Sequence, residues 1–212
     1  MSEEGAILVS KRLFRASLSR SDEEAYYHGT CRPVPHLTFT LTGLIASLPL
    51  GMQHGFVSKM ELVYLTKQQI IYEQGGPITH VYFPCSAVVS LIMVMENGSG
   101  VEVATIGNDG FLGVQRYFGE EFAFARAIVQ IPGESRRMRF DLFRHELGGN
   151  ENLHERLRRY AGAQLAQLAR TAGCNRLHAA EQRCARWLLM VQDRTDAKEF
   201  SLTKEMLADM LG

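Results

Sequence analysis

The chain contains 212 residues, of which 46% are hydrophobic and 22% are charged. These values are typical of globular proteins, and they exclude a wholly disordered, collagen-like or low-complexity chain. The 23 basic residues balance 23 acidic residues, so the formal net charge is zero. A strongly basic, histone-like nucleic-acid binder is therefore excluded, whereas a local basic face is not.

Cysteine usage and the lack of long apolar runs indicate a protein of a reducing compartment. The four cysteines lie far apart without a CxxC pair: Cys31, Cys85, Cys174 and Cys184. This pattern is typical of buried or idle thiols. No apolar run reaches the roughly 18–20 residues of a membrane span, and the N-terminus lacks the basic-then-apolar order of a signal peptide. We expect a cytoplasmic protein without membrane contact.

The first part of the chain shows little periodicity. Residues 1–41 mix charges of both signs and contain Pro33 and Pro35, which indicates a weakly ordered lead-in. From residue 42, apolar side chains at near-helical spacing on either side of Pro49 predict one or two short helices. These side chains are Leu44, Ile45, Leu48, Met52 and Phe56.

The apolar pattern then changes from a helical to a strand period. β-Branched and aromatic runs between glycine- and proline-containing turns predict six short strands: Leu62–Leu65, Ile70–Tyr72, Val81–Phe83, Val88–Val94, Val101–Ile106 and Phe122–Ile131. Asn97-Gly98 predicts a hairpin turn, because both residues tolerate positive φ. Many short strands at even spacing suggest a sandwich, jelly roll or barrel, and we predict a double-sheet jelly roll over residues 42–149.

Helices are predicted after Phe140. Asp141–Leu147 predicts a short helix, and Asn150 provides an N-cap for a long helix over residues 150–178. Such a helix either lies on the roll or pairs with its copy in a second subunit, and we favour a homodimer. The apolar stripe begins at Leu153, and its further members are the predicted dimer contacts: Leu157, Ala161, Leu165, Leu168 and Ala172.

Residues 179–212 carry a second apolar stripe, a strand or linker at Phe200–Leu202, and a short terminal helix. Thr203 can cap a helix over Lys204–Leu211. Its spacing suits the first helix and turn of a helix-turn-helix, because the helix crossing needs a small side chain and the turn needs positive φ. The expected packing residues are Leu207, Ala208, Leu211 and Gly212.

Seven stretches of the sequence resemble the Crp/Fnr family of bacterial transcription regulators. They are Tyr72–Ile78, His80–Pro84, Val88–Leu91, Val101–Gly107, Gly110–Gly113, Glu181–Leu189 and Leu202–Gly212. The resemblance covers about four fifths of the chain, from about Thr42 onward. It implies an α+β protein with a cyclic-nucleotide-binding-like roll (a double-stranded β-helix), a dimerisation helix and a C-terminal winged helix-turn-helix.

The resemblance implies a DNA-binding transcription regulator rather than an enzyme. The family's recognition helix would follow Gly212, so we expect no sequence-specific DNA binding from the 212 residues alone. Thr203 and Lys204, at a helix N-terminus, are expected to contact phosphates only. The alternative is a dimeric ligand-sensing or interaction module without specific DNA binding.

The resemblance also places a possible effector pocket. Family members that bind cyclic AMP use a Glu for the ribose and an Arg-Ser pair for the phosphate; here Val114 and Ala125-Arg126 stand at these positions. Valine accepts no hydrogen bond, which argues against cyclic AMP and leaves a different small-molecule effector or none. The pocket residues implied are Gly110, Leu112, Gly113, Val114, Gln115 and Arg126.

Cofactor signals are weak. Only Cys31 lies in the N-terminal region, which argues against the iron–sulfur cluster of the family's oxygen sensors. His154-Glu155 begins an HExxH pattern, but Arg158 occupies its last position. We therefore expect no metal and no cofactor, and a cupin-like metalloenzyme is the least favoured alternative.

Overall fold

The computed structural model describes residues 7–10, 50–195 and 199–202. The strands of these ranges are β1 Ile7–Ser10, β2 Glu61–Leu65, β3 Ile70–Tyr72, β4 His80–Pro84, β5 Val88–Val94, β6 Gly100–Ile106, β7 Arg126–Ile131, β8 Gly133–Arg139 and β9 Glu199–Leu202. The helices are α1 Leu50–Val57, α2 Val114–Tyr117, α3 Phe140–Leu147, α4 Glu151–Leu177 and α5 Ala180–Arg194.

Two antiparallel sheets form the roll. The smaller sheet has the order β2-β8-β4, and the larger has the order β3-β7-β5-β6. Alternate side chains of the strands point inward and form a common core that includes Leu65, Tyr72, Val89, Ile106 and Val129. The predicted jelly-roll architecture is confirmed as a β-roll with helices.

Each of the six predicted strand regions contains a strand, but β8 was not predicted. Its sequence, GESRRMR, is mostly polar. It forms a strand because it lies between β2 and β4 and pairs with both. Ser135 and Met138 are buried, whereas Arg136 and Arg137 are partly exposed and Arg139 is exposed. Partners distant in sequence, rather than local propensity, make this segment a strand.

The predicted lead-in contains a strand as well, which corrects the expectation of weak order at Ile7–Ser10. These four residues pair antiparallel with β9, where Ile7 lies opposite Leu202. The partner strand lies near the other end of the sequence, so local composition does not reveal the pairing. The strand alternative for Phe200–Leu202 is confirmed by the same pairing. Residues 1–6 and 11–41 of the lead-in lie outside the described residues.

The predicted hairpin joins β5 to β6. Gly98 has a φ of +83°, whereas Asn97 keeps a negative φ. The Asn97 side chain instead accepts hydrogen bonds from the backbone N–H (3.0 Å) and hydroxyl (2.7 Å) of Ser99. The loop spans five residues, closed by the 2.8 Å bond from Met95 N–H to the Ser99 carbonyl.

A second core lies between the roll and the helices. Phe83 and Phe111 stack with ring centroids 5.4 Å apart, and Phe143 of α3 packs against both. The long helix α4 covers this core with Leu153 and Leu157. Asn150 caps α4 as predicted, because its Oδ1 accepts a 3.1 Å bond from Leu153 N–H.

Candidate functional site

The connection between β6 and β7 contributes side chains to both cores and packs against α4. Gly113 has a φ of +98° and precedes α2, a conformation that glycine adopts without strain. Gly110 lies beneath the ring of Tyr160, so a Cβ atom there would collide with the tyrosine hydroxyl. That hydroxyl donates a 3.2 Å hydrogen bond to the Phe111 carbonyl. The conformation of this loop is therefore tied to α4.

The residues predicted to bind an effector occupy different surroundings. Leu112 lies in the core between the sheets, Val114 lies in the aromatic core, and Gln115 is buried on α2. Arg126 begins β7 on the outer side, where its Nε donates a 2.9 Å bond to Glu73. The structure thus separates Arg126 from the other side chains, and effector binding by this set stays a prediction.

A surface cleft of about 310 Å³ lies beside the same loop. Its lining includes Arg116 of α2, Arg139 at the end of β8 and Arg144 of α3. Each of the first two arginines pairs with an acidic side chain of the cleft at 2.9 Å, Arg116 with Glu121 and Arg139 with Asp141. The cleft therefore carries one net positive charge, and both of its acidic side chains form ion pairs with its arginines.

The third arginine and an aromatic side chain complete the cleft. Arg144 is exposed and has no ion-pair or hydrogen-bond partner among the described residues. Phe122 is 59% exposed at the rim, and Phe140 lies under Arg116 with its ring centroid 4.9 Å from the guanidinium carbon. Arginine guanidinium groups beside open aromatic rings suit an anion that carries a planar group.

A buried carboxyl group lies where β6 meets α5. Glu102 is almost fully buried and accepts hydrogen bonds from the hydroxyls of Ser90 (2.9 Å) and Thr105. The indole N–H of Trp187 on α5 donates to both carboxyl oxygens, at 2.9 and 3.1 Å. Burial raises the pKa of Glu102 to about 7, against the lowering effects of these donors and of Arg186.

A second contact joins the end of α5 to the turn that follows β6. Arg194 binds Asp109 through two contacts of 2.7 and 3.0 Å, and another of its guanidinium nitrogens donates to the Met190 carbonyl at 3.1 Å. Gly107 lies under this arginine, since a Cβ at Gly107 would stand 2.6 Å from the Arg194 Cβ. The turn therefore needs a glycine for α5 to approach.

The long helix α4 has one buried face and one open face. The open face over its second half carries small and apolar residues: Gly162, Leu165, Ala169, Ala172 and Gly173. Leu165 is 68% exposed, and a Cβ at Gly162 or Gly173 would have no neighbour within 4 Å. Another helix can therefore approach this face closely.

The predicted dimer stripe is divided between these two faces. Leu165 and Ala172 lie on the open face, whereas Ala161 and Leu168 pack partly against the cores. Leu157 is fully buried within the chain, so, contrary to the prediction, it is not accessible to a second subunit. The reason is geometric: every four-residue step turns about 40° around the helix, so the stripe leaves the roll along its length.

In the described part of the chain, no group of three or more His, Cys, Asp or Glu side chains is placed to hold a metal ion. No helix of residues 50–195 is both long and apolar enough to cross a membrane. The predicted helix-turn-helix positions lie outside the described residues: Thr203, Lys204, Leu207, Ala208, Leu211 and Gly212.

Several solved structures of similar fold come from bacteria. CLP, the c-di-GMP responsive global regulator of Xanthomonas campestris, superposes with a TM-score of 0.61 at 15% identity, over 77% of this chain and 85% of CLP. FixK2 from Bradyrhizobium japonicum gives 0.61 at 16% identity, over 72% and 77% of the two chains. A CooA mutant from Carboxydothermus hydrogenoformans gives 0.52 at 14%, over 68% and 93%.

The roll and the two helices that follow it define a β-roll protein of the α+β class. Residues 62–148 match the family model of the cyclic nucleotide-binding domain. The resemblance to Crp/Fnr-type regulators is confirmed, since CLP, FixK2 and CooA are structural neighbours. At these identities the neighbours establish the fold. No curated protein sequence matches the chain.

Sequence reasoning missed the polar contacts of α5 and the basic cleft. The signal for the first was a lone acidic residue, Glu102, within the apolar strand Val101–Ile106. A buried charged residue requires a partner, and Trp187 supplies one from 85 residues away. The cleft gave no local signal, because its arginines come from three separate elements.

Proposed function

We propose that the protein is a dimeric, effector-responsive DNA-binding transcription regulator of the Crp/Fnr type. The observation that carries the proposal is the order of parts: a cyclic nucleotide-binding roll, a 27-residue helix with an open apolar face, and a second helix docked on the roll. The predicted helix-turn-helix residues, Thr203 to Gly212, follow this second helix in the sequence.

The proposed dimer forms through the open face of α4. Small residues at Gly162, Ala169 and Gly173 let two helices approach closely, and Leu165 supplies apolar area to bury. We expect Leu165→Glu to convert the dimer to a monomer in sedimentation velocity. Met95→Glu is the matched control, because Met95 is a similarly exposed apolar side chain on the β5–β6 loop. A dimer that survives Leu165→Glu, or a monomeric wild type, contradicts this interface.

DNA binding is tested in the cell. The chromosomal gene is tagged at its start, and DNA bound to the tagged product of the whole gene is recovered and sequenced with and without Leu165→Glu. A two-fold dimer reads paired half-sites, so we expect discrete loci with a palindromic motif that are lost in the variant. Absence of enriched loci overturns the regulator proposal and favours a dimeric sensing module that does not bind DNA specifically.

The proposed effector is an anionic small molecule with a planar group that binds the basic cleft. Arg144 and Phe122 are open to it, and an anion can replace Glu121 and Asp141 as partner of the other two arginines, because exposed ion pairs contribute only about 0–1 kcal/mol. Cyclic mononucleotides and cyclic dinucleotides are the first ligands to test, since CLP is c-di-GMP responsive.

A thermal-shift screen with these nucleotides measures the binding. A ligand at 100 times its Kd adds about 2.7 kcal/mol to the stability of the folded state, which is a readily visible shift. We expect Arg144→Ala to weaken binding, whereas Arg126→Ala, an arginine on the outer side already paired with Glu73, leaves it unchanged. Equal loss in both variants, or binding unaffected by either, refutes the cleft as the effector site.

A further inference from the structure

We infer that Glu102 and Asp109 are positioning residues that hold α5 against the roll, and that α5 moves away from the roll when their contacts are broken. The two docking contacts are Glu102 with Trp187 and Asp109 with Arg194. The inference deepens the proposed function, because α5 leads toward the predicted DNA-binding segment.

The first docking contact is completed by three elements. The Glu102 carboxyl on β6 binds Ser90 of β5, Thr105 of its own strand and Trp187 of α5. Glu102 and Trp187 are 4% and 3% exposed, so the polar groups depend on each other for hydrogen bonds. A buried carboxyl left without its indole donor bears a desolvation cost, and separation of α5 from β6 is therefore coupled to water entry at this site.

The second docking contact lies on the same side of α5. Arg194 follows Trp187 by seven residues, about two helical turns, so both side chains point toward the roll. The guanidinium holds Asp109 with two bonds and is only 10% exposed. Because this ion pair is largely removed from water, it is screened less than the surface pairs of the protein.

The junction between the two helices does not by itself fix the direction of α5. Only His178 and Ala179 separate α4 from α5, and both have extended backbone conformations. The helices therefore share no continuous backbone hydrogen bonding across the junction. Asp109 adjoins Gly110, which packs under Tyr160 of α4, so a shift of this loop changes the second docking contact directly.

The ionisation of Glu102 biases the docking. The groups that face it are the hydroxyls of Ser90 and Thr105, the Trp187 indole and, as the charged group, Arg186 of α5. Burial outweighs these groups and raises the pKa of Glu102 to about 7, whereas an undocked, hydrated carboxyl has a pKa near 4.5. The docked state therefore binds the proton more tightly, and docking weakens as the pH rises through this interval.

Fluorescence of Trp187 tests the first contact, because it is the only tryptophan of the chain. The emission of the wild-type chain is recorded from pH 5.5 to 8.5, without DNA or ligand. We expect a shift to longer wavelength with a midpoint at or below pH 7, since the indole becomes hydrated as Glu102 ionises. Glu102→Gln removes the transition and keeps the short-wavelength emission. The control variant Glu155→Gln, at an exposed carboxyl of α4, retains the pH-dependent transition.

Hydrogen exchange tests the second contact and separates positioning from general stability. We expect Asp109→Asn to raise exchange in α5 about tenfold, with β5 and β6 unchanged. An emission transition that persists in Glu102→Gln, no transition in the wild type, or an equal rise in α5, β5 and β6 overturns the inference. These measurements involve neither DNA nor effector, so their failure is distinct from failure of the proposed function.

Discussion

Replacement of Glu102 by glutamine is expected to remove a pH dependence of stability. In the folded chain the pKa of Glu102 is about 7, whereas the carboxyl in the unfolded chain titrates near 4.5. The difference corresponds to about 3 kcal/mol in the free energy of unfolding. It is assigned to the folded state, because Glu102 is fully buried there. Glutamine keeps the shape and an acceptor oxygen, but it never ionises.

The sign follows from proton binding. Below pH 4.5 the carboxyl is protonated in both states and adds no penalty. Between pH 4.5 and about 7 the folded chain holds a proton that the unfolded chain has lost, so the free energy of unfolding falls as the pH rises. Above pH 7 the free energy of unfolding no longer falls on account of this carboxyl. We therefore expect Glu102→Gln to be more stable than the wild type by up to about 3 kcal/mol at pH 8, with little difference near pH 4.5.

Urea unfolding followed by far-ultraviolet circular dichroism measures this difference at pH 5 and pH 8. Protein concentration is held fixed, because dimerisation would make stability depend on it. Glu155→Gln serves as the control, since Glu155 is exposed and paired with Arg158 and Arg159. A difference between Glu102→Gln and the wild type that is the same at both pH values would show that the buried carboxyl does not titrate as argued.

Three further substitutions test the packing that supports the site, each measured by urea unfolding at a fixed pH. Phe111→Ala removes a fully buried ring of the aromatic core and should cost about 3–5 kcal/mol, whereas Phe118→Ala, at a ring 61% exposed, should change stability by about 0.5 kcal/mol or less. Asn150→Ala removes the cap of α4 and should cost about 1 kcal/mol; an unchanged stability would mean that the cap is replaced by water. Gly110→Ala drives a Cβ into the tyrosine ring of α4 and should cost about 1–3 kcal/mol, while Gly55→Ala, with open space around it, should cost nothing.

Local chemistry predicted most of the elements. The β-branched runs became strands, Asn97-Gly98 became a hairpin, and Asn150 became a helix cap. Each of these features depends on residues within a few positions of one another, so propensity and turn chemistry were sufficient. The order of the motifs also pointed to the correct family of folds.

Long-range pairing was beyond local prediction. The polar segment Gly133–Arg139 became a central strand because β2 and β4 flank it, and Ile7–Ser10 became a strand because Glu199–Leu202 supplies a partner. The first segment is mostly polar, and the second is only four residues long. Their backbone hydrogen bonds are satisfied by distant parts of the chain, which no local pattern encodes.

The amino-acid sequence by itself determined the roll, the long helix and its cap, since these follow from residue spacing and backbone preference. Only the tertiary structure decided which face of α4 is open, that Leu157 is buried, and that three arginines line one cleft. It also brought Glu102 to Trp187 across 85 residues of sequence. The physical reason is that burial and the pKa of a buried group depend on the whole set of surrounding elements, whereas helix and strand formation depend mainly on neighbours in the chain.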